Sequence, residues 1–223
     1  MADFAEAFLN PDILSEAWWL LAMGVGRTIA LSLLVVPIGL AAGLGLALLC
    51  RRGRTIRLGT ALFVDLFRAL PPLVLLILLY AGLPFAGINL GPWGSVAACF
   101  LLNSGAYYCE VFRAGLKGVP RGQEDAAAAL GLRPTQAMRL VLLPQAIRLV
   151  LPDLVSNTLE VVKLTSIASV VGVAELLFQA RQAQSITYNA TPIVAAALTY
   201  FILLWPLVRV LSHLEEARLR SAR

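Results

Sequence analysis

The 223-residue sequence predicts an all-α integral membrane protein with five transmembrane helices, an outside N-terminus, a cytoplasmic C-terminus and one short cytoplasmic helix. Three observations predict it. The composition is 59% hydrophobic and 14% charged, with a mean hydropathy of +0.81, against about 45–50% and about 25% in soluble domains. Uncharged apolar runs of about 20 residues recur, the length a helix needs to cross a bilayer. Basic residues collect in alternate connections, the asymmetry that orients membrane helices. The net charge of +5 is therefore a topology signal and not a nucleic-acid surface. One domain, 1–223, accounts for the length.

The first span is the uncharged run Thr28 to Cys50, preceded by Trp18 and Trp19 as an interfacial belt. Gly39, Gly43 and Gly45 give it small surface for close packing, and Pro37 predicts a kink. The second covers Thr60 to Leu83 and contains Pro71-Pro72; the third runs from Trp93 to Phe112. The fourth begins near Leu142 and is interrupted by Pro144, Arg148, Pro152, Asp153, Glu160 and Lys163. The fifth runs from Pro192 to Leu211. Ile167 to Phe178 is apolar but too short to span, and reads as a partly buried helix.

The loop charges select an odd number of spans. Asp3, Glu6, Asp12 and Glu16 precede the first basic residue, Arg27, which puts the start outside. Arg51, Arg52, Arg54 and Arg57 place the next loop inside, and uncharged Pro84 to Pro92 lies outside. Arg113, Lys117, Arg121, Arg133, Arg139 and Arg148 place the long third loop inside. The tail, with Arg209, Arg218, Arg220 and Arg223, ends inside. Arg27 is expected to snorkel to head groups, and Asp65 to pair with Arg68 near the inner end of span two.

Several classes are disfavoured. Cys50, Cys99 and Cys109 lack metal-ligand spacing and read as small buried hydrophobes. With His213 as the sole histidine, neither a zinc cluster nor a Ser-His-Asp set is evident, so no catalytic residue is assigned. The acidic start and long first run do not read as a cleavable signal peptide. No internal repeat is visible, against secondary transporters built from inverted halves.

The long inside loop holds "DAAAALG", Asp125 to Gly131. Val119-Pro120-Arg121-Gly122 reads as a turn. Glu124 and Asp125 then occupy a first helical turn, where acids complement the macrodipole. Four alanines favour helix, Gly131 suits the C-terminal cap, and Pro134 prevents continuation. A helix of about eight residues is marginal alone in water and must dock on something, whether its own protein or a partner.

Within "GQEDAAAALGLRPTQAMRLVLLPQAIRLVLP" the segment resembles the EAA loop of binding-protein-dependent ABC importer permeases. Asp125-Ala126-Ala127 takes the EAA place, Gly131 the glycine, Val141 the isoleucine, and Leu143-Pro144 the closing pair. "FRALPPL", "LNSGAYYCEVFRAGL" and "KLTSIASVVGVAEL" resemble the polar amino-acid branch of that family, and the similarity covers nearly everything past Gly24.

The resemblance implies a multi-pass permease of the bacterial cytoplasmic (inner) membrane. It would pair with a second permease subunit, identical or different, and with two ATP-binding cassette subunits. A periplasmic or surface solute-binding protein would deliver an amino-acid substrate. The segment 121–132 would be the coupling helix, with Gly122, Glu124, Asp125, Ala126, Ala127 and Gly131 as the ATPase-coupling residues. No cofactor is expected on this chain: ATP and magnesium belong to the partner, since no phosphate-binding G-x-x-x-x-G-K-[ST] loop occurs here.

Ionisable groups within spans cost about 2.5–3.5 kcal/mol each on insertion scales, so they face cavities or pair. Asp153, Asn157, Glu160 and Lys163 form one stripe on the fourth span; Asn103, Tyr107 and Glu110 form another on the third. Such stripes can line a wet pathway. Glu160 or Glu110 suits a substrate ammonium, and Lys163 with Thr165 or Ser166 a carboxylate. The alternative is internal neutralisation, Glu160 by Lys163 and Glu110 by Arg113. Competing functions are the same machinery for an opine or sulfur amino acid, or an ATP-independent channel or secondary transporter.

Overall fold

A computed structural model describes residues 6–221, with side chains described through Glu216. Asp3 and Arg223, and the side chains of Arg218 and Arg220, lie outside the described residues. All described secondary structure is helical.

Helix α1, Pro11–Leu49, begins well before the apolar run because Asn10 caps it: its Oδ1 accepts from the Asp12 and Ile13 amides at 2.9 and 3.3 Å. Helix α2, Arg54–Ala69, ends at Leu70, whose ψ of 126° precedes Pro71. The expected second span is therefore broken. A residue before proline is driven out of the helical region, and two successive prolines enforce it. The chain resumes as α3, Pro72–Ile77, continues through a π-helical turn, Leu78–Gly82, and closes with a 3₁₀ turn, Leu83–Ala86.

Helix α4, Gly91–Gly118, contains the third expected span, and α5, Arg121–Ala129, is the short alanine helix. Next come α6, Pro134–Ala137, a π-helical turn, Met138–Leu142, and α7, Leu143–Leu149. Helix α8, Leu151–Leu164, runs on as a 3₁₀ segment, Thr165–Val171. The fourth span thus starts at Leu151 and not at Leu142, and Pro152 sits harmlessly in its first turn. Helix α9 is Leu176–Thr187 and α10 is Thr191–Ser221.

Among the described residues, three helical stretches are long and apolar enough to cross a membrane: Glu6–Leu49, Leu151–Val171 and Thr191–Glu216. There are four if the broken pair Arg54–Ala69 and Pro72–Ala86 counts as one. Helix α4 is long enough, but its Gly, Ser and Asn residues dilute its apolar character. Large apolar side chains such as Leu33, Leu62 and Ile202 are exposed, as lipid-facing positions are.

The chain forms two compact units. One comprises Met1–Pro37, Pro71–Phe100 and Leu159–Arg209. Its core packs Leu21, Leu176, Ala180 and Ala196 against Val25, Ile193 and Tyr200. A polar stitch crosses this core. Arg27 donates to the Ala174 carbonyl at 3.1 Å, and Thr28 Oγ1 accepts from the Leu176 amide at 3.1 Å. Arg27 therefore has a protein partner where the sequence suggested head groups. At Gly24, directly beside this stitch, a Cβ would lie 2.8 Å from Leu176 Cα.

The other unit comprises Ile38–Leu70, Leu101–Thr158 and Val210–Arg223. Here the C-terminal half of α1 packs on α4 through small residues. A Cβ at Gly43 would fall 2.4 Å from Tyr108 Cβ and 2.8 Å from the Cys109 amide nitrogen. Lipid offers apolar side chains no incentive to leave it, so such backbone proximity and its dispersion contacts bind the helices. Tyr108 is buried and shares a 2.8 Å hydrogen bond with Thr158 of α8.

Candidate functional site

Two groups of residues were singled out by sequence. The first is α5. Its nine residues follow Pro120, and its end is a Schellman cap: Gly131 adopts φ 74°, its amide bonds to the Ala128 carbonyl at 2.9 Å, and the Leu132 amide bonds to the Ala127 carbonyl at 3.1 Å. Only glycine takes that φ at no steric cost.

The helix has an inward and an outward face. Ala127 is 2% exposed, so its small size is required by the chain's own packing. Gln123, one turn earlier, accepts a 3.0 Å hydrogen bond from Gln145 Nε2. Glu124 pairs with Arg51 at 2.8 Å. Gly122, Asp125, Ala126 and Ala129 are exposed, and Leu130 is 81% exposed. Asp125 has no partner among the described residues. The outward surface thus presents one unpaired acid, three alanines (Ala126, Ala128 and Ala129) and a leucine.

The second group is the pair of polar stripes. On α4, Asn103 is 2% exposed and its Nδ2 donates to the Phe67 carbonyl at 2.8 Å. Tyr107 donates to the Arg68 carbonyl at 3.3 Å, and the Arg68 guanidinium lies 5.2 Å from its ring centre. Both residues satisfy carbonyls left open at the end of α2. Arg68 is engaged by this ring and not by Asp65, so the expected Asp65–Arg68 pair does not form. Glu110 pairs with Arg113 at 2.5 Å.

On α8, Glu160 pairs with Lys163 across one turn, and both side chains are more than half exposed. Asn157 Nδ2 is buried with no hydrogen-bond partner. Thr165 is fully buried and donates to the Val162 carbonyl; Ser166 donates to the Lys163 carbonyl. Lys163 and Ser166 also line an open, mostly apolar cavity of about 350 Å³ with Leu177, Ile193, Tyr200 and Phe201. Internal pairing thus accounts for Glu160 and Glu110, while Lys163 and Ser166 also border open space.

Sequence reasoning passed over Glu175. It caps α9: its carboxylate accepts from the Leu177 and Phe178 amides at 2.9 and 2.8 Å, and from the Tyr200 hydroxyl at 2.7 Å. It is fully buried. Burial pushes its pKa above the ordinary value of 4.5, against the opposing pull of Tyr200 and the two amides. The signal available was an acid between an apolar run and a helix-forming stretch, the position of an N-cap.

Comparisons with known proteins follow the same lines. The family described as "Binding-protein-dependent transport system inner membrane component" matches residues 18–220. The probable amino-acid ABC transporter permease protein YckA of Bacillus subtilis is 34% identical over 178 residues, 79% of this chain and 78% of that one. The L-cystine transport system permease protein TcyB of the same organism is 32% identical over 212 residues, 93% and 90% of the two chains. A crystal structure of an amino acid ABC transporter with histidines superposes with a TM-score of 0.81 at 34% identity, covering 92% of this chain and 96% of that one.

Proposed function

Because the chain belongs to the binding-protein-dependent transport system inner membrane component family, we propose that it is the permease subunit of an ATP-driven amino-acid importer. It forms the translocation pathway in the bacterial inner membrane and is driven by ATP hydrolysis on a separate subunit, where ATP and magnesium bind. Its partners are a second permease, identical or different, two ATPase subunits and a solute-binding protein. Five spans with the N-terminus outside and the C-terminus inside put α5 on the cytoplasmic side.

The observation that carries this reading is α5 itself. A nine-residue helix capped at its end, anchored on one face and exposed on the other, is a rigid projection that a groove can grip. Asp125, Ala126 and Leu130 face that groove, while Gly122 lies in the first turn of the helix and Gly131 caps its end. Closure of the ATPase subunits on ATP then moves the projection, and the packed spans rock between two arrangements. A chain with this projection needs a partner to engage it, which disfavours an ATP-independent channel.

The pathway reading assigns Asn157, Glu160, Lys163, Thr165 and Ser166 to the route, with Asn103, Tyr107 and Glu110 on the neighbouring helix. A zwitterionic solute can exchange its ammonium and carboxylate for the partners in the Glu160–Lys163 pair at little electrostatic cost. The test is ATP hydrolysis and uptake by the reconstituted complex over a panel of amino acids, an opine and a sulfur amino acid. Stimulation by one amino-acid class supports the proposal. Uptake indifferent to ATP rejects it. Unchanged uptake and stimulation in Lys163→Ala and Glu160→Gln would remove these two side chains from direct substrate contact.

A further inference from the structure

We infer that the Arg51–Glu124 ion pair is a mechanical brace, which makes Arg51 a positioning residue for coupling between α5 and the first membrane helix. The inference rests on the reading of α5 as the helix gripped by an ATPase subunit.

Arg51 and Glu124 stand 73 positions apart in sequence, yet Arg51 Nη2 lies 2.8 Å from Glu124 Oε1. Arg51 is fixed at the very end of α1. Its amide bonds to the Leu48 carbonyl at 3.2 Å, and the neighbouring Cys50 and Arg52 amides bond to Leu46 and Leu49. A cation there also complements the negative end of the helix dipole. Glu124 is fixed in the first turn of α5. The pair therefore joins two rigid helices without an intervening loop.

What lies behind Arg51 is equally stiff. Two turns back along α1, Gly43 abuts the backbone of Tyr108 and Cys109. Gly39 abuts Ser104 and Tyr108, and Ala42 meets Gly105. A displacement of the α1 end is hard to absorb by side-chain rearrangement there, because backbone atoms, Cβ atoms and the fully buried ring of Tyr108 are the contacting groups. On its other side α5 is tied to α7 by Gln123–Gln145. A force on α5 thus reaches α1 through one polar link and α7 through another. Because Glu124 is committed inside the chain, Asp125 is the acid on α5 left to face outward.

Half-exposed ion pairs add little to stability, so the brace acts on direction of motion rather than on folding. The test uses the complete transporter in liposomes, read as solute taken up per ATP hydrolysed from a radiolabelled mixture of the standard amino acids. Arg51→Glu and Glu124→Arg each bring like charges together. Each should lower solute per ATP about two- to fivefold while the ATPase subunit still copurifies. Arg51→Lys, which keeps the charge, should stay near the native ratio. The double variant Arg51→Glu/Glu124→Arg should recover most of the loss, which a merely structural role would not predict. If the reversals fail to insert, Glu124→Gln removes only the charge and should lower the ratio in the same direction. Charge-reversed or Glu124→Gln variants that couple like the native protein, or a double variant no better than the singles, overturn the brace. Loss of ATP dependence in the native complex would instead overturn the importer reading beneath it.

Discussion

The hydroxyl of Tyr200, on α10, donates a 2.7 Å hydrogen bond to Oε2 of Glu175, the buried cap of α9. Two amides share the same carboxylate, and among the described residues no ion pair joins it. Glu175→Ala would remove the cap and leave three part-buried donors without their acceptor. The expected loss is about 2–4 kcal/mol, measured as a lower thermal midpoint in detergent.

The same carboxyl makes stability depend on pH. Its pKa in the fold is raised above 4.5, so folding favours the protonated acid. That contribution is complete below the ordinary value and is lost as pH rises through the raised one. The thermal midpoint should therefore decline across that window, and Glu175→Gln, neutral throughout, should flatten the decline. A native midpoint that rises with pH there would contradict the assignment.

Gly43 and Gly45 separate close packing from mere helix composition. A Cβ at Gly43 meets Tyr108 at 2.4 Å, whereas at Gly45 nothing lies within 4 Å. Gly43→Ala should cost about 1–3 kcal/mol from overpacking. Gly45→Ala should be neutral or gain up to about 1 kcal/mol of helix propensity. Parallel melting curves of the two variants decide it.

Ala126 and Ala127 should respond differently to bulk. Ala127 is buried against its own chain and Ala126 is exposed. Ala127→Leu should lower the stability of the isolated permease. Ala126→Leu should leave its melting unchanged but weaken copurification of the ATPase subunit. Equal behaviour of the two variants in both assays would remove the two-faced description of α5.

Asn103 holds the end of α2 through the Phe67 carbonyl. Asn103→Leu, similar in size, should cost about 1–3 kcal/mol because that part-buried carbonyl loses its donor. A variant that melts like the native protein but transports poorly would assign Asn103 to the pathway alone.

Much of this was legible in the sequence because it is local. The cap at Gly131, the extent of α5 and the apolar character of α1 and α10 follow from neighbouring residues and periodicity. The break in the second span was also encoded, in Pro71-Pro72, but hydropathy reads composition and is blind to the backbone restriction that proline imposes. The start of α1 depends on Asn10, a polar residue outside the apolar run that marks the span.

Pairings between distant residues were decided by tertiary structure alone. Sequence spacing brought Arg68 to Asp65, but packing put Tyr107 beside it and the ring took the guanidinium. Spacing left Glu124 and Asp125 equivalent, and the end of α1 separated them by delivering Arg51 to one. Glu175 carries no sequence sign of its partner Tyr200, 25 residues away on another helix. Local propensity and hydropathy act over a turn or a span, so they determine which segments are helices and which are apolar. A buried or paired charge is satisfied by whichever donor the fold brings within about 3 Å, and only the packing of those helices chooses it.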